Sequence, residues 1–64
     1  MGAERVTAKA SGRTFSDLSW NGVVAKIAAA YRLNTTAGER VAAARELMDG
    51  KTVVLDGTGI RPVS

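Results

Sequence analysis

The chain has 64 residues and a formal net charge of +3, and it contains neither cysteine nor histidine. Disulfide bonds are therefore excluded and a zinc site is not expected, so a single domain spanning residues 1–64 must rely on a small hydrophobic core. Because small chains without such cross-links often gain stability by association, we expect a homodimer.

The composition also bears on where the protein acts. The absence of cysteine is compatible with a reducing cytosol. No apolar run approaches the roughly 20 residues that a membrane span needs, and the N-terminal residues lack the apolar segment of a secretory signal. We therefore expect a cytoplasmic protein with no membrane partner.

Positive charge is unevenly distributed along the chain. Residues 1–35 carry five basic and two acidic side chains, whereas residues 36–64 carry four of each. A one-sided basic surface attracts phosphate groups and is the usual electrostatic sign of nucleic-acid binding. A solvated surface that keeps the protein soluble explains the charge equally well, so charge alone does not decide the function.

The N-terminal region predicts one short strand. Residues 1–4 are expected to be frayed, and residues 5–10 alternate with period two between an apolar and a polar face. Ser11 and Gly12 then form a turn signal. Residues 13–15 are either a brief returning strand or only a lead into the first helix.

The first helix is predicted from an apolar stripe that follows several capping residues. Ser16, Asp17 and Ser19 are candidate caps, and an Asn21-Gly22 pair interrupts the helical pattern. Two alternatives remain open: a short turn at 16–20 followed by a main helix at 22–33, or one helix that bends at the pair. The stripe consists of Leu18, Trp20, Val23, Val24, Ile27, Ala28 and Tyr31.

The second helix has the clearest sequence signature. Thr36 and Glu39 have the spacing of a capping box, in which the hydroxyl and the carboxylate each bond a backbone amide at the helix start. Gly50 follows the last apolar position, where a left-handed residue is favoured. We predict a helix over residues 37–49, joined to the first helix by the short connector 33–35.

The C-terminal residues predict a β-hairpin. A β-branched run at 51–55 and a second run at 60–63 flank Asp56-Gly57-Thr58-Gly59, a strong turn signal. Pro62 has no amide hydrogen to donate, so we predict an edge position for the last strand.

The predicted fold class is α+β, with a short N-terminal strand or hairpin, two packed helices and a C-terminal β-hairpin. Alanine-rich helices are slim and approach each other closely, so bulkier residues should fill the core. Those residues are Phe15, Leu18, Trp20, Ile27, Tyr31, Leu33, Val41, Leu47, Met48, Val54 and Ile60.

Catalysis is not expected. The six carboxylates are scattered, four of them have structural explanations at caps or turns, and the hydroxyl groups lack a base to activate them. The glycines at 57 and 59 do not lead into a helix, as a phosphate-binding loop requires, so they are interpreted as a hairpin turn. The sequence therefore predicts a non-enzyme without a cofactor or metal.

Three groups of residues are candidate contacts to double-stranded DNA. Arg5, Thr7 and Lys9 share one strand face, and paired strands can enter a major groove and reach base edges. The alternative for this group is a solvated strand face. The other candidates are the start of the second helix, at Thr35, Thr36 and Arg40, and the basic residues Arg13, Lys26 and Arg32 as phosphate contacts.

The start of the second helix and the two largest aromatic residues also have purely structural explanations. The start of the second helix is equally explained as an ordinary helix start. Trp20 and Tyr31 are interpreted as core or dimer-interface residues, because stacking platforms for single strands usually combine several rings with a basic groove.

Two segments resemble a known family. Residues 14–24 (TFSDLSWNGVV) resemble the opening of the first helix in antitoxins of the Phd/YefM type, and residues 53–63 (VVLDGTGIRPV) look like the hairpin of that family. The resemblance covers about a third of the chain. It implies a dimer that binds operator DNA through its N-terminal module and represses transcription.

Two other DNA-binding families show weaker likenesses. Residues 5–9, 33–39 and Val41 look like a ribbon–helix–helix repressor, with a polar-faced strand followed by a capped second helix. A winged helix-turn-helix, with the hairpin as the wing, is the third alternative. The three families imply the same ligand through different geometries, which is an analogy at the level of fold.

The leading functional interpretation is a small dimeric DNA-binding transcriptional regulator, either a repressor or antitoxin-like. The alternative belongs to another class: a small protein-interaction module, such as an inhibitor or a virion or phage-type component, that binds a protein partner and no nucleic acid. The two are distinguished by DNA binding itself.

Overall fold

The computed structural model describes residues 5–63, which form four strands and two helices in the order ββααββ. The prediction that residues 1–4 are frayed lies outside the described residues. The elements are β1 (Val6–Ala10), β2 (Arg13–Asp17), α1 (Trp20–Ala30), α2 (Ala37–Met48), β3 (Val53–Leu55) and β4 (Thr58–Pro62).

The four strands form one antiparallel sheet in the order β2-β1-β4-β3. Helix α1 packs on β1 and β2, helix α2 packs on β3 and β4, and the two helices pack against each other. Because both helices lie over the face that carries the buried strand residues Ala8, Ala10 and Ile60, residues 5–63 place no helix on the opposite face. The predicted α+β class, with strands at both ends and a C-terminal hairpin, is confirmed.

Both hairpins close with two-residue turns. Ser11 and Gly12 have φ angles of 51° and 78°, and Asp56 and Gly57 have φ angles of 48° and 77°. Two consecutive left-handed residues are what a type I′ turn requires, and its twist matches that of the flanking strands. Residues 13–15 are therefore a returning strand, and the second turn takes two residues rather than the predicted four.

Helix α1 (Trp20–Ala30) is a single helix through the Asn21-Gly22 pair, as the second alternative predicted; the separate turn at 16–20 and the helix end at residue 33 of the first alternative are wrong. Residues 16 and 17 continue β2, and Ser19 caps the helix by accepting a hydrogen bond from the amide of Gly22 at 3.1 Å. The glycine is explained by a close approach, because a Cβ at this position would overlap the carboxylate of Asp17. Thus the break in the pattern reflects packing between α1 and β2.

Helix α2 confirms the capping box. The Thr36 hydroxyl accepts from the Glu39 amide at 3.1 Å, and the Glu39 carboxylate accepts from the Thr36 amide at 2.7 Å. At the other end, Gly50 has a φ of 81°, and the amides of Gly50 and Lys51 donate to the carbonyls of Leu47 and Glu46. These two bonds form a Schellman motif, so both ends of the helix are satisfied locally.

The hydrophobic core differs in part from the prediction. Ile27, Leu47 and Ile60 are fully buried as expected, but four predicted core residues are exposed. The interior instead contains Val23, Val24, Val53 and Leu55 together with alanines, whose small side chains let the helices sit close to the sheet. The exposed residues are Leu18 (62%), Val41 (47%), Met48 (67%) and Val54 (72%).

The aromatic residues border the core. Phe15, Trp20 and Tyr31 are half-buried and pack against it, which agrees with their interpretation as core rather than stacking residues. The rings of Phe15 and Tyr31 meet edge to face, with centroids 5.8 Å apart. The Tyr31 hydroxyl donates to the carbonyl of Ala10 at 3.0 Å, which ties the end of α1 to the sheet.

The prediction of an edge position for the last strand is wrong, since β4 lies between β1 and β3. The amide of Val63 donates to the carbonyl of Thr7, on the β1 side, at 2.8 Å. The nitrogen of Pro62, one residue earlier, therefore faces the β3 side, where pairing has already ended at Val53 and Ile60. A proline is tolerated in a central strand here because no partner lies opposite its nitrogen.

Candidate nucleic-acid interface

The uncovered side of the sheet is the candidate site, and we call it the open face. Side chains alternate between the two faces of a strand, so every second residue of each strand lies there. The exposed or half-buried residues at these positions are Arg5, Thr7 and Lys9 before and in β1, Thr14 and Ser16 in β2, Val54 in β3, and Gly59, Arg61 and Val63 in and after β4.

Among residues 5–63, three cations lie on the open face: Arg5, Lys9 and Arg61. Lys9 lies directly opposite Arg61 on one side and Thr14 on the other, and both cationic side chains are exposed. Arg61 was not among the predicted contacts. A local pattern does not reveal that residues 6–10 pair with residues 58–62, because the two segments are separated by the whole helical layer.

The pairing of Lys9 with Arg61 has an electrostatic cost. Like charges directly opposite each other on neighbouring strands destabilise a sheet. Among the strand positions of the open face within residues 5–63, no carboxylate offsets this repulsion. An anion bound to this face removes the cost, so the arrangement favours anion binding.

Hydroxyl groups lie beside the cations. The hydroxyls of Thr7 and Ser16 are hydrogen-bonded to each other across β1 and β2 at 3.0 Å, and Thr14 lies opposite Lys9. Hydroxyls bond to phosphate oxygens and to base edges alike. The described positions of the open face contain no aromatic ring, so the face lacks the stacking platform typical of single-strand binding.

Two predicted basic contacts lie away from the open face. Arg13 is on the helix side of β2, where its guanidinium lies 5.4 Å from the Phe15 ring centroid and 5.9 Å from that of Tyr31. Lys26 lies on α1, and its ammonium donates to the carbonyl of Ser16 at 2.8 Å, at the edge of the sheet. Both side chains therefore stabilise contacts within the chain.

The helical layer holds the remaining predicted contacts. Arg32 is exposed in the loop after α1, with a left-handed φ of 52°. At the start of α2, Arg40 donates to the carbonyl and hydroxyl of Thr35 at 3.0 and 2.8 Å, and Thr36 takes part in the capping box. The groups of Thr35, Thr36 and Arg40 bond to one another in the way that an ordinary helix start predicts.

The nine predicted contacts thus do not form one surface. Arg5, Thr7 and Lys9 come together on the open face, where Arg61 joins them. The other six lie on the helix side or at the sheet edge. We therefore restrict the candidate interface to the open face.

Other features of the described chain point to no further chemistry. Within residues 5–63, no group of three or more acidic residues is arranged to hold a metal ion. Neither described helix has the length and apolar character needed to cross a membrane.

Comparison of the chain with protein-family models, curated proteins and solved structures gives no significant match. The functional argument therefore depends on the geometry of the open face alone.

Proposed function

We propose that the protein is a small cytoplasmic DNA-binding transcriptional regulator, a repressor or antitoxin-like protein, that binds duplex DNA with its open face. The observation that supports this most directly is the Lys9–Arg61 pair, two cations opposite each other on a face where residues 5–63 place neither a helix nor a strand carboxylate. Phosphate groups supply the missing negative charge and release counterions on binding.

The dimensions of the sheet suit this ligand. A major groove is about 12 Å wide and admits a two-stranded ribbon, and β1 and β4, which carry Lys9 and Arg61, are neighbouring strands about 4.8 Å apart. Strands of other proteins read DNA in this groove. In this arrangement Lys9 and Arg61 meet phosphates or guanine, and the hydroxyl of Thr14 contacts a base edge or the backbone.

Lys9→Ala is expected to weaken DNA binding on every sequence and to flatten its salt dependence. Each phosphate contact contributes roughly 0.9 to the slope of log affinity against log salt concentration, so the slope should fall by about one unit. Fluorescence-anisotropy titrations of random duplex DNA at several salt concentrations measure this change.

The matched control for Lys9→Ala is Lys51→Ala, which removes an equal charge from the exposed loop that follows α2. The proposal predicts an unchanged slope for this variant. Equal slopes for Lys9→Ala and the unaltered protein, or no affinity for duplex DNA at low salt, contradict it.

The homodimer is part of the same proposal. Val41 and Met48 are exposed, and together with half-buried Trp20 they line a groove of about 250 Å³ at one end of the helical layer. A second copy covering this apolar surface adds the burial that a chain of this length lacks. Sedimentation equilibrium should give twice the mass of one chain, and Met48→Glu should give a single-chain mass; a monomer at all concentrations contradicts the dimer.

A further inference from the structure

A groove lies between α2 and β3, on the opposite side of the helical layer from α1. It has a volume of about 520 Å³. Ala42 and Ala43 form its floor from the helix, and Val53 and Leu55 line it from the strand. Alanines leave this space open, since larger side chains at the same positions would fill it.

One wall of the groove is an unpaired sheet edge. Strand β3 is terminal in the sheet, and Val53 and Leu55 pair with β4 through the register Val53–Ile60 and Leu55–Thr58. The amide of Val63 donates to β1, and the direction of the backbone N–H and C=O groups alternates along a strand. The N–H and C=O groups of Ile60 and Thr58 therefore face β3, and those of Val53 and Leu55 face β4. The N–H and C=O of Val54 therefore point outward, toward any strand added at this edge.

The two edges of the sheet differ in whether a basic side chain blocks the addition of another strand. At the β2 edge, the ammonium of Lys26 donates a hydrogen bond of 2.8 Å to the carbonyl of Ser16, which points away from the sheet. A lysine in this position blocks pairing with another chain. At the β3 edge, Val54 is 72% exposed and no lysine or arginine lines the groove beside it.

The negative charges around the groove favour a positively charged binding partner. Its lining includes three carboxylates, those of Glu39, Glu46 and Asp56, and no basic side chain. Glu39 and Asp56 each use one oxygen internally, on the amides of Thr36 and Asn34. The groove thus combines the unpaired backbone edge of β3, an apolar surface formed by the alanines of α2, and three carboxylates around it.

We propose that the β3 edge binds an extended basic segment of a partner protein, which adds to the sheet as a fifth strand. Lysine or arginine side chains on the groove side lay their aliphatic stems over Ala42 and Ala43 and place their charges at Glu39 and Glu46. Apolar residues on the other side of the added strand lie next to Val54. Backbone pairing gives the affinity, and the alternating side chains give the specificity.

The same charges disfavour a second copy of this chain at the edge. Antiparallel pairing of two β3 strands brings two sets of the three carboxylates together, and such juxtaposition of like charge is destabilising. The groove meets the open face at Val54 but includes none of its cations, so this inference goes beyond the DNA-binding proposal, and its test with a peptide succeeds or fails independently of DNA binding.

The test uses a short blocked peptide of alternating valine and lysine, titrated into the isotope-labelled protein and followed by NMR. We expect saturable shifts at Val54 and Thr52 and slower hydrogen exchange of the Val54 amide. An otherwise identical peptide of valine and glutamate should not bind. Glu46→Lys is expected to weaken binding of the basic peptide roughly tenfold, because one of its charge partners is reversed.

The matched control is Asp49→Lys, which makes the same change in charge three residues away, outside the groove. It should leave peptide affinity within about twofold. Val54→Pro removes the outward amide without removing a β4 pairing bond and should abolish binding. If that variant does not fold, the exchange data and Glu46→Lys decide.

Four results overturn the proposal. They are no binding of the basic peptide, equal binding of the acidic peptide, equal losses for Glu46→Lys and Asp49→Lys, and self-association through β3 that leaves the edge occupied.

Discussion

Simultaneous Lys9→Glu and Arg61→Glu substitution is expected to lower the affinity for duplex DNA by about a hundredfold or more. A good bidentate contact between a side chain and a base contributes roughly 1–3 kcal/mol, and tenfold in affinity corresponds to about 1.4 kcal/mol. Both side chains are exposed on the open face, so their replacement opens no cavity. Anisotropy titration of a labelled duplex at fixed salt measures the loss.

The control for this double variant is Arg32→Glu with Lys51→Glu. Both residues are exposed in the loops that follow the helices, neither belongs to the open face, and the change in net charge is identical. Restricting the interface to the open face predicts a clearly smaller loss for the control. Equal losses for the two double variants would show that net charge alone governs binding and would contradict the proposed interface.

The single variant Lys9→Glu separates binding from stability. It converts a like-charge pair with Arg61 into an opposite-charge pair, which should stabilise the fold by roughly 0.2–1 kcal/mol while DNA binding falls. A variant that loses affinity while gaining thermal stability has not lost function through unfolding. The gain in stability follows from the reversed charge pair, and the loss of affinity follows from the proposed DNA contact.

Ile27→Ala is expected to leave most of the protein unfolded at room temperature. Ile27 is fully buried in α1, within the core cluster beneath the helices. Truncation of a buried isoleucine costs about 2–5 kcal/mol, and a core of this size supplies roughly 3–5 kcal/mol in total. Circular dichroism with urea titration reports the lost free energy of unfolding.

Val54→Thr is the matched control for Ile27→Ala. Its side chain is β-branched like valine and lies on the solvent side of β3, where Val54 is 72% exposed. The free energy of unfolding should change by no more than about 0.5 kcal/mol. A folded Ile27→Ala variant with unchanged stability would contradict the described core.

Local chemistry accounts for the elements that sequence reasoning predicted well. The alternation in β1, the capping box of Thr36 and Glu39, and the Asp56-Gly57 turn each act over a few residues, and each is present as expected. Arg5, Thr7 and Lys9 share a face for the same reason. Such features are visible in a sequence because their partners lie within one turn or one strand.

The errors arose where the structure depends on distant pairing. The central position of β4 results from its register with β1, which brings Arg61 opposite Lys9. Pro62 suggested an edge, because the early end of β3 is not apparent locally. Likewise Val41 and Met48 fit a helical apolar stripe but are exposed, since the alanines of α2 face the sheet instead.

The most direct test of the open face as a DNA-binding surface is an NMR titration of the labelled protein with a short duplex. The account predicts that the largest shift changes fall at Lys9, Thr14 and Arg61, with little change in α1 and α2. Changes concentrated at the start of α2, or no changes at low salt, would contradict it.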